Sequence, residues 1–358
     1  MKIAILVHSF PPCWVGGTEI ATYNIAKRLG ELGNEVHVIT ELDDVLDSDE
    51  GFSIHRFPLK RVKILGYIYF WLRILPFLKK LDPDVIHCQG IVMGIPVFFK
   101  WWYHKPVIVY HRDNILDQSM EKYFSKPVLK RADTVIALTD YMKKRMLSVE
   151  EREILVINNG IDLDEFPPYS RKQVREKLGW DLEDVILINV GRLEKIKGTD
   201  YLIDAMRILK ENKIQVKLII VGDGKLKKDL EREVKKQQLN IEFMGNNIHE
   251  RALEYLLASD IFILPSLSEG FPNVCLEAMA AGLSIVTTDI GGMSEIVDGN
   301  GFLVKPENPE EIARAVQKLV EDQDLREELG KKGKLKVKNY EFKRIVREIE
   351  EVYEDLVG

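Results

Sequence analysis

Apolar residues along this chain fall into short, nearly continuous runs, separated by longer stretches in which apolar and charged positions alternate with helical spacing. In the first half the runs occupy residues 3–7, 36–39, 85–87, 107–110, 134–138 and 155–157. A run that is apolar throughout has both faces covered, as in a parallel sheet with crossover helices above and below it. The pattern therefore predicts repeated strand-helix-strand units. It breaks at Asn158-Asn159-Gly160-Ile161-Asp162, followed by Pro167-Pro168, and these turn-forming residues mark a linker. It restarts with runs at 185–190, 216–221, 241–243, 261–264 and 284–287. The expected architecture is α/β, with two doubly wound Rossmann-like domains over 1–162 and 163–341. A last amphipathic helix over 342–358 has no strand after it and is expected to return to the first domain. Such sheets bind ligands outside the carboxyl ends of their strands, so two facing domains imply a deep inter-domain cleft.

Composition narrows the chemistry. At roughly 100 to 200 residues per domain, 358 residues support two cores. The net charge of -6 argues against a nucleic-acid partner, whose phosphates require a basic excess. Cys13, Cys88 and Cys275 have no paired spacing, which supports neither a disulfide framework nor a zinc site. The chain opens on a strand with no signal-peptide pattern, and a reducing cytoplasm is the expected compartment. Asp43-Asp44 lies in a polar turn without further ligands and reads as solvated surface, so no metal is expected.

Four loops at predicted strand ends carry unusual residues. After the run at 261–264 comes Ser268-Glu269-Gly270-Phe271-Pro272-Asn273-Val274-Cys275-Leu276-Glu277, ending at Gly282. Pro272 suits a first helical turn and Gly282 a C-terminal cap. The helix N-terminus would present unpaired N–H groups and a positive dipole end, which hold a phosphate or a sugar hydroxyl. Glu269 lies before that end and Glu277 about a turn inside; each carboxylate can accept two hydroxyls of a ribose or hexose ring, or simply face solvent. After the run at 185–190, Gly191-Arg192 and Lys197-Gly198 offer a guanidinium fork and a mobile ammonium to a diphosphate. Gly16-Gly17 opens a helix after the first strand, without the full dinucleotide fingerprint. His111 ends the run at 107–110, with Asp113 and Asn114 close behind.

Together these segments resemble the retaining glycosyltransferases of group one, which adopt the GT-B architecture and include mannosyl-, glucosyl- and sucrose-phosphate synthase relatives. The resemblance spans nearly the whole chain and is most specific in Glu269 and Glu277 around Gly-Phe-Pro-Asn-Val. It implies that Arg192 and Lys197 bind a donor diphosphate and that Glu277 takes the ribose hydroxyls. Glu269 with the amides of Gly270, Phe271, Asn273 and Val274, around Pro272, would hold the sugar and phosphate. His111 would stand beside the transferred sugar, Gly16 and Gly17 near the phosphates, and Gly245 and Asn246 near the base. Expected catalytic residues are thus Glu269, His111, Arg192 and Lys197, with no cofactor and no metal. The donor would be a nucleotide-diphosphate sugar, UDP- or GDP-linked. The acceptor would be a hydroxyl of a glycan, a lipid or a small molecule, and same-face attack would retain anomeric configuration. A nucleotide-sugar epimerase or a non-catalytic sugar-nucleotide binding protein of the same fold is the alternative.

The segment 60–80 is apolar from Ile64 to Leu78 apart from Gly66, Arg73 and Pro76, and is bounded by Lys60, Arg61, Lys63, Lys79 and Lys80. It is too short to span a bilayer. It reads either as a helix packed on the first sheet or as a weak contact with an anionic membrane.

Overall fold

The computed structural model describes residues 1–11, 16–41, 51–59, 63–112 and 119–358. Cys13, Asp43, Asp44, Lys60, Arg61, Asp113 and Asn114, singled out above, lie outside the described residues. The chain forms two compact units: residues 1–160 together with 342–358, and residues 161–341.

The first unit holds strands β1 (Lys2–Leu6), β2 (Glu35–Glu41), β3 (Ser53–Phe57), β4 (Val85–Gln89), β5 (Val107–His111), β6 (Thr134–Ala137) and β7 (Leu155–Val156). They pair in the order β3-β2-β1-β4-β5-β6-β7, every pair parallel. The second unit holds β8 (Ile186–Val190), β9 (Lys217–Val221), β10 (Ile241–Gly245), β11 (Ile261–Leu264), β12 (Ser284–Thr288) and β13 (Gly301–Val304). Their order is β10-β9-β8-β11-β12-β13, again all parallel. The strand order reverses at β1/β4 and at β8/β11, the places where loops diverge and ligands of doubly wound sheets bind.

The central strands form where the apolar runs predict them, because β4, β5, β11 and β12 are buried along their whole length and β1 from Ile3 onward. Two strands have no such run. At the sheet edges β3 reads SIHRF and β13 reads GFLV, and both are largely half-buried, so neither needs an unbroken apolar sequence. On one face of the second sheet, Leu187, Leu218, Ile220, Ile261 and Ile263 pack under helices Thr199–Glu211 and Pro309–Glu321, through Leu202, Met206, Leu209, Val316 and Leu319. Each such side chain contributes roughly 1.5–3 kcal/mol by burial. Helix Pro309–Glu321 starts cleanly because Asn308 caps the Glu311 amide and proline occupies its first turn.

Helix Phe342–Val357 belongs to the first unit. Phe342, Ile345, Val346, Ile349 and Tyr353 form its buried stripe, and Asn34 Nδ2 donates to Glu350 Oε1 at 2.7 Å. Helix Lys63–Leu81 buries Phe70, Trp71, Ile74, Leu75 and Leu78 and turns the side chains of Ile68, Leu72, Arg73, Lys79 and Lys80 outward. The even distribution of apolar residues around this helix thus covers a packed face and an apolar outer face. No helix among the described residues is long and apolar enough to cross a membrane.

Candidate functional site

The second unit's reversal point opens because β8 and β11 stop pairing early. Ile261 aligns with Leu187 and Phe262 with Ile188. At the next position the buried Asn189 side chain takes over, its Nδ2 donating to the Ile263 carbonyl at 2.8 Å. The loops that follow the two strands are joined again lower down, where the Leu267 amide donates to the Ile196 carbonyl at 2.8 Å. Gly198 makes that approach feasible: its φ is +64°, and a Cβ there would lie 2.1 Å from the Pro265 carbonyl oxygen.

This joining brings Lys197 to Glu269. Lys197 Nζ lies 2.7 Å from Glu269 Oε1, and the same oxygen accepts from Ser266 Oγ at 2.5 Å. Glu269 is buried while Lys197 keeps partial access to solvent. Polar residues at the strand ends hold the loop in place: Thr287 Oγ1 donates to the Leu264 carbonyl at 2.8 Å and Thr288 Oγ1 to the Ser266 carbonyl at 2.5 Å. Sequence reasoning missed Asn189, Ser266, Thr287 and Thr288. Their only signal is a polar residue at the end of an apolar run.

Helix Asn273–Ala281 follows directly. Pro272 occupies its N-cap, with φ -74° and ψ 112°, and not the first helical turn expected from sequence. The correction has a simple cause: the extended ψ keeps Pro272 outside the helix, so the helical N–H series begins at Asn273. No side chain caps this end, and Gly282 closes the other in the left-handed region at φ +79°. Phe271 is buried against Tyr340, with ring centroids 5.9 Å apart, which anchors the entry to the helix.

Glu277 sits one turn into this helix. Burial raises its pKa above the ordinary carboxylate value, and the positive field of His249 partly opposes the shift. His249 opens helix His249–Ala258 just beyond Gly245 and Asn246, and its Nε2 lies 3.2 Å from Glu165 Oε2. That hydrogen bond raises the His249 pKa. Gly245 ends β10 and accepts the Gly222 amide at 2.8 Å, leaving Asn246 exposed. Arg192 lies on the same loop as Lys197 but apart from the ion pair of Lys197 with Glu269. Its side chain is 68% exposed, and the ion pair it makes is with Glu194 at 3.5 Å, so it is not held against Lys197. Among the described residues, no three His, Cys, Asp or Glu side chains are placed to share a metal ion.

In the first unit Gly16 caps helix Gly17–Glu31, and a Cβ at Gly17 would meet no described atom within 4 Å. His111 is the last residue of β5 and is buried. Its neighbour Arg112, which sequence reasoning passed over, fastens the strand ends. Arg112 Nε donates to Gln89 Oε1 at 2.6 Å, Nη1 bonds Asn159 Oδ1, and the guanidinium lies 4.0 Å from the Tyr110 ring centroid. Behind it His87 shares a hydrogen bond with the Tyr353 hydroxyl, and burial, aided by Arg112, drives its pKa down to about 3.

Residues 170–336 match the family described as Glycosyl transferases group 1, and residues 15–165 match Glycosyltransferase Family 4. An uncharacterized glycosyltransferase of Methanocaldococcus jannaschii is 34% identical over 100% of both chains. The chain belongs to the group-one glycosyltransferases. Its two parallel α/β domains have the GT-B fold. Sucrose-phosphate synthase from Thermosynechococcus elongatus superposes with a TM-score of 0.88 at 21% identity, covering 99% of this chain and 98% of that one. Anabaena HepE, solved in complex with UDP, superposes with a TM-score of 0.85 at 22% identity over 99% and 100% of the two chains. In this glycosyltransferase Lys197, Glu269 and Glu277 all lie on elements that leave the carboxyl ends of β8 and β11.

Proposed function

We propose that this glycosyltransferase moves a hexose from a nucleotide-diphosphate sugar to a hydroxyl acceptor, with retention of configuration and without a metal. The observation that carries the reading is the Lys197–Glu269 pair beside the uncapped N-terminus of helix Asn273–Ala281. Cleaving the bond between sugar and diphosphate leaves growing negative charge on the departing oxygen and an oxocarbenium-like centre on the sugar. Lys197, Arg192 and the helix amides are donors aimed at that departing charge. Arg192 is the exposed member, paired with Glu194 at 3.5 Å. Glu269, oriented by Ser266, accepts sugar hydroxyls, and Glu277 accepts those of the ribose. His111 carries the role beside the transferred sugar. HepE was solved with UDP and with UDP-glucose, which favours a UDP-sugar as donor.

The test is turnover of UDP- and GDP-sugars with and without a glycoside acceptor, in excess EDTA. The expected result is acceptor-dependent release of the nucleotide that EDTA leaves intact. Loss in EDTA with rescue by magnesium would sink the metal-free reading, and product without acceptor would indicate epimerisation. Glu277→Gln is expected to raise the donor Kd, and Glu269→Gln to lower kcat with donor bound. Because Glu277 titrates above the ordinary range, wild-type donor affinity should fall on acidification earlier than an ordinary carboxylate predicts, and Glu277→Gln should flatten that fall.

We further propose an acceptor at an anionic membrane surface. Ile68, Leu72 and Trp101 are 50%, 67% and 72% exposed, beside the exposed cations Arg73, Lys79 and Lys80. Lys79 Nζ donates to the Trp102 carbonyl at 2.8 Å and so ties the helix to the tryptophan segment. Aromatic and aliphatic side chains flanked by cations suit the lipid headgroup region, each cation contributing about 1 kcal/mol near an anionic surface. Co-sedimentation with anionic vesicles at low salt is expected, weakened by high salt and by Leu72→Ser with Trp101→Ala. Equal sedimentation with neutral vesicles, or none with anionic ones, would remove the lipid acceptor.

A further inference from the structure

The second unit has a cavity of about 460 Å³ that none of the proposed donor-binding residues lines. It lies at the amino ends of the strands, bordered by Val185 before β8, Asp260 before β11 and Gly282 before β12. The donor residues leave the carboxyl ends of the same sheet, so the cavity is a separate place in the fold.

Its walls are strongly charged, and the charges divide into those already used and those with capacity to spare. Arg175 is buried and spends its nitrogens on the protein: Nε on the Ala258 carbonyl at 2.8 Å, Nη2 on Asp260 Oδ2 at 2.6 Å, and Nη1 on the carbonyls of Asp181, Leu182 and Asp184. Asp260 is fully engaged as well, since it also takes Arg171 Nη1 at 2.9 Å and the Ile186 amide at 2.8 Å. One carboxylate therefore serves two guanidinium groups. Arg326 directs Nη1 to the Leu319 and Val320 carbonyls, at 2.6 and 3.4 Å, and faces no carboxylate within ion-pair distance among the described residues. Lys334 has no bonded partner among them either. Burial lowers the Arg171 pKa, Asp260 opposes that shift, Arg175 and Arg326 add to it, and Glu327, which also lines the cavity and pairs with Lys331 at 3.6 Å, opposes it. Glu183 and Asp184, both exposed, add carboxylate acceptors at the rim.

We propose that this cavity binds a sugar phosphate, with the phosphate on Arg171, Arg326 and Lys334 and the sugar hydroxyls on Glu183 and Asp184. A dianion accepts the N–H groups that Arg171, Arg326 and Lys334 do not spend on the protein, while hydroxyls supply the donors that carboxylates require. A bare phosphate would leave the rim carboxylates facing an anion, and the volume matches a small ligand. The site does not depend on the donor assignment.

Glucose 6-phosphate is the probe, titrated calorimetrically into the full chain beside glucose and inorganic phosphate. Saturable binding of one equivalent is expected, tighter than for either fragment. Lys334→Glu, a change at an exposed position, should weaken it about tenfold or more, as should Arg326→Gln with thermal unfolding checked. Lys197→Ala should leave it unchanged. No saturable binding, binding lost in Lys197→Ala but kept in Lys334→Glu, or inorganic phosphate binding as tightly as glucose 6-phosphate would each overturn the proposal.

Discussion

Lys197→Ala is expected to lower kcat/KM by about 30-fold to 1,000-fold, equivalent to roughly 2 to 4 kcal/mol of lost transition-state stabilisation. Two consequences of the geometry combine. The departing diphosphate loses a cation, and the buried Glu269 carboxylate loses the ammonium 2.7 Å away, keeping the Ser266 hydroxyl on that oxygen. Arg192→Ala should act differently. Its side chain is exposed and meets Glu194 at 3.5 Å, so its removal costs the folded protein little and is felt only once donor is bound. Steady-state kinetics with thermal unfolding of each variant separates the two. The expected pattern is a lowered Tm for Lys197→Ala, an unchanged Tm for Arg192→Ala, and slowed turnover in both. A kcat/KM for Lys197→Ala within threefold of wild type would mean that the pair only braces the loop.

Asp260→Ala is expected to be the most destabilising single change in the second unit, at about 3 to 5 kcal/mol. Its carboxylate accepts from Arg171, from Arg175 and from the Ile186 amide, joining helix Arg171–Leu178 to the amino ends of β8 and β11. Alanine would leave the buried Arg175 without a counter-ion, and that uncompensated charge accounts for most of the expected loss. Asp260→Asn keeps one acceptor and should lose less. Urea unfolding measures both. A loss below about 1 kcal/mol for Asp260→Ala would show that the four backbone carbonyls around Arg175 suffice to hold it.

Much of the candidate site was legible because its chemistry is concentrated in short segments. Glu269, Gly270, Phe271, Pro272, Asn273, Val274 and Glu277 are near neighbours in sequence, and a loop leading into a helix is a local structure that local residues specify. The same holds for Gly191, Arg192, Lys197 and Gly198 after β8. Arg192 and Lys197 look equivalent as letters, yet Lys197 is drawn to a carboxylate 72 positions away while Arg192 remains outside. Asn189 could not be identified because its role appears only where β8 and β11 part, and its partner carbonyl is 74 positions away. Arg112 was passed over because a cation after a strand normally reads as surface, whereas here Gln89, Asn159 and the Tyr110 ring enclose it.

By itself the sequence determined the α/β class, the two repeating halves and the central strands, because a strand covered on both faces must be apolar along its length. It also determined which residue types stand at the strand ends, and through them the family. Tertiary structure alone decided the edge strands β3 and β13, whose half-exposed faces impose no continuous apolar run. It decided that Lys197 meets Glu269 and that Arg171, Arg175 and Arg326 line one cavity. These depend on contacts between residues far apart in the chain, where burial and charge act through space and leave no periodic trace in the order of the amino acids.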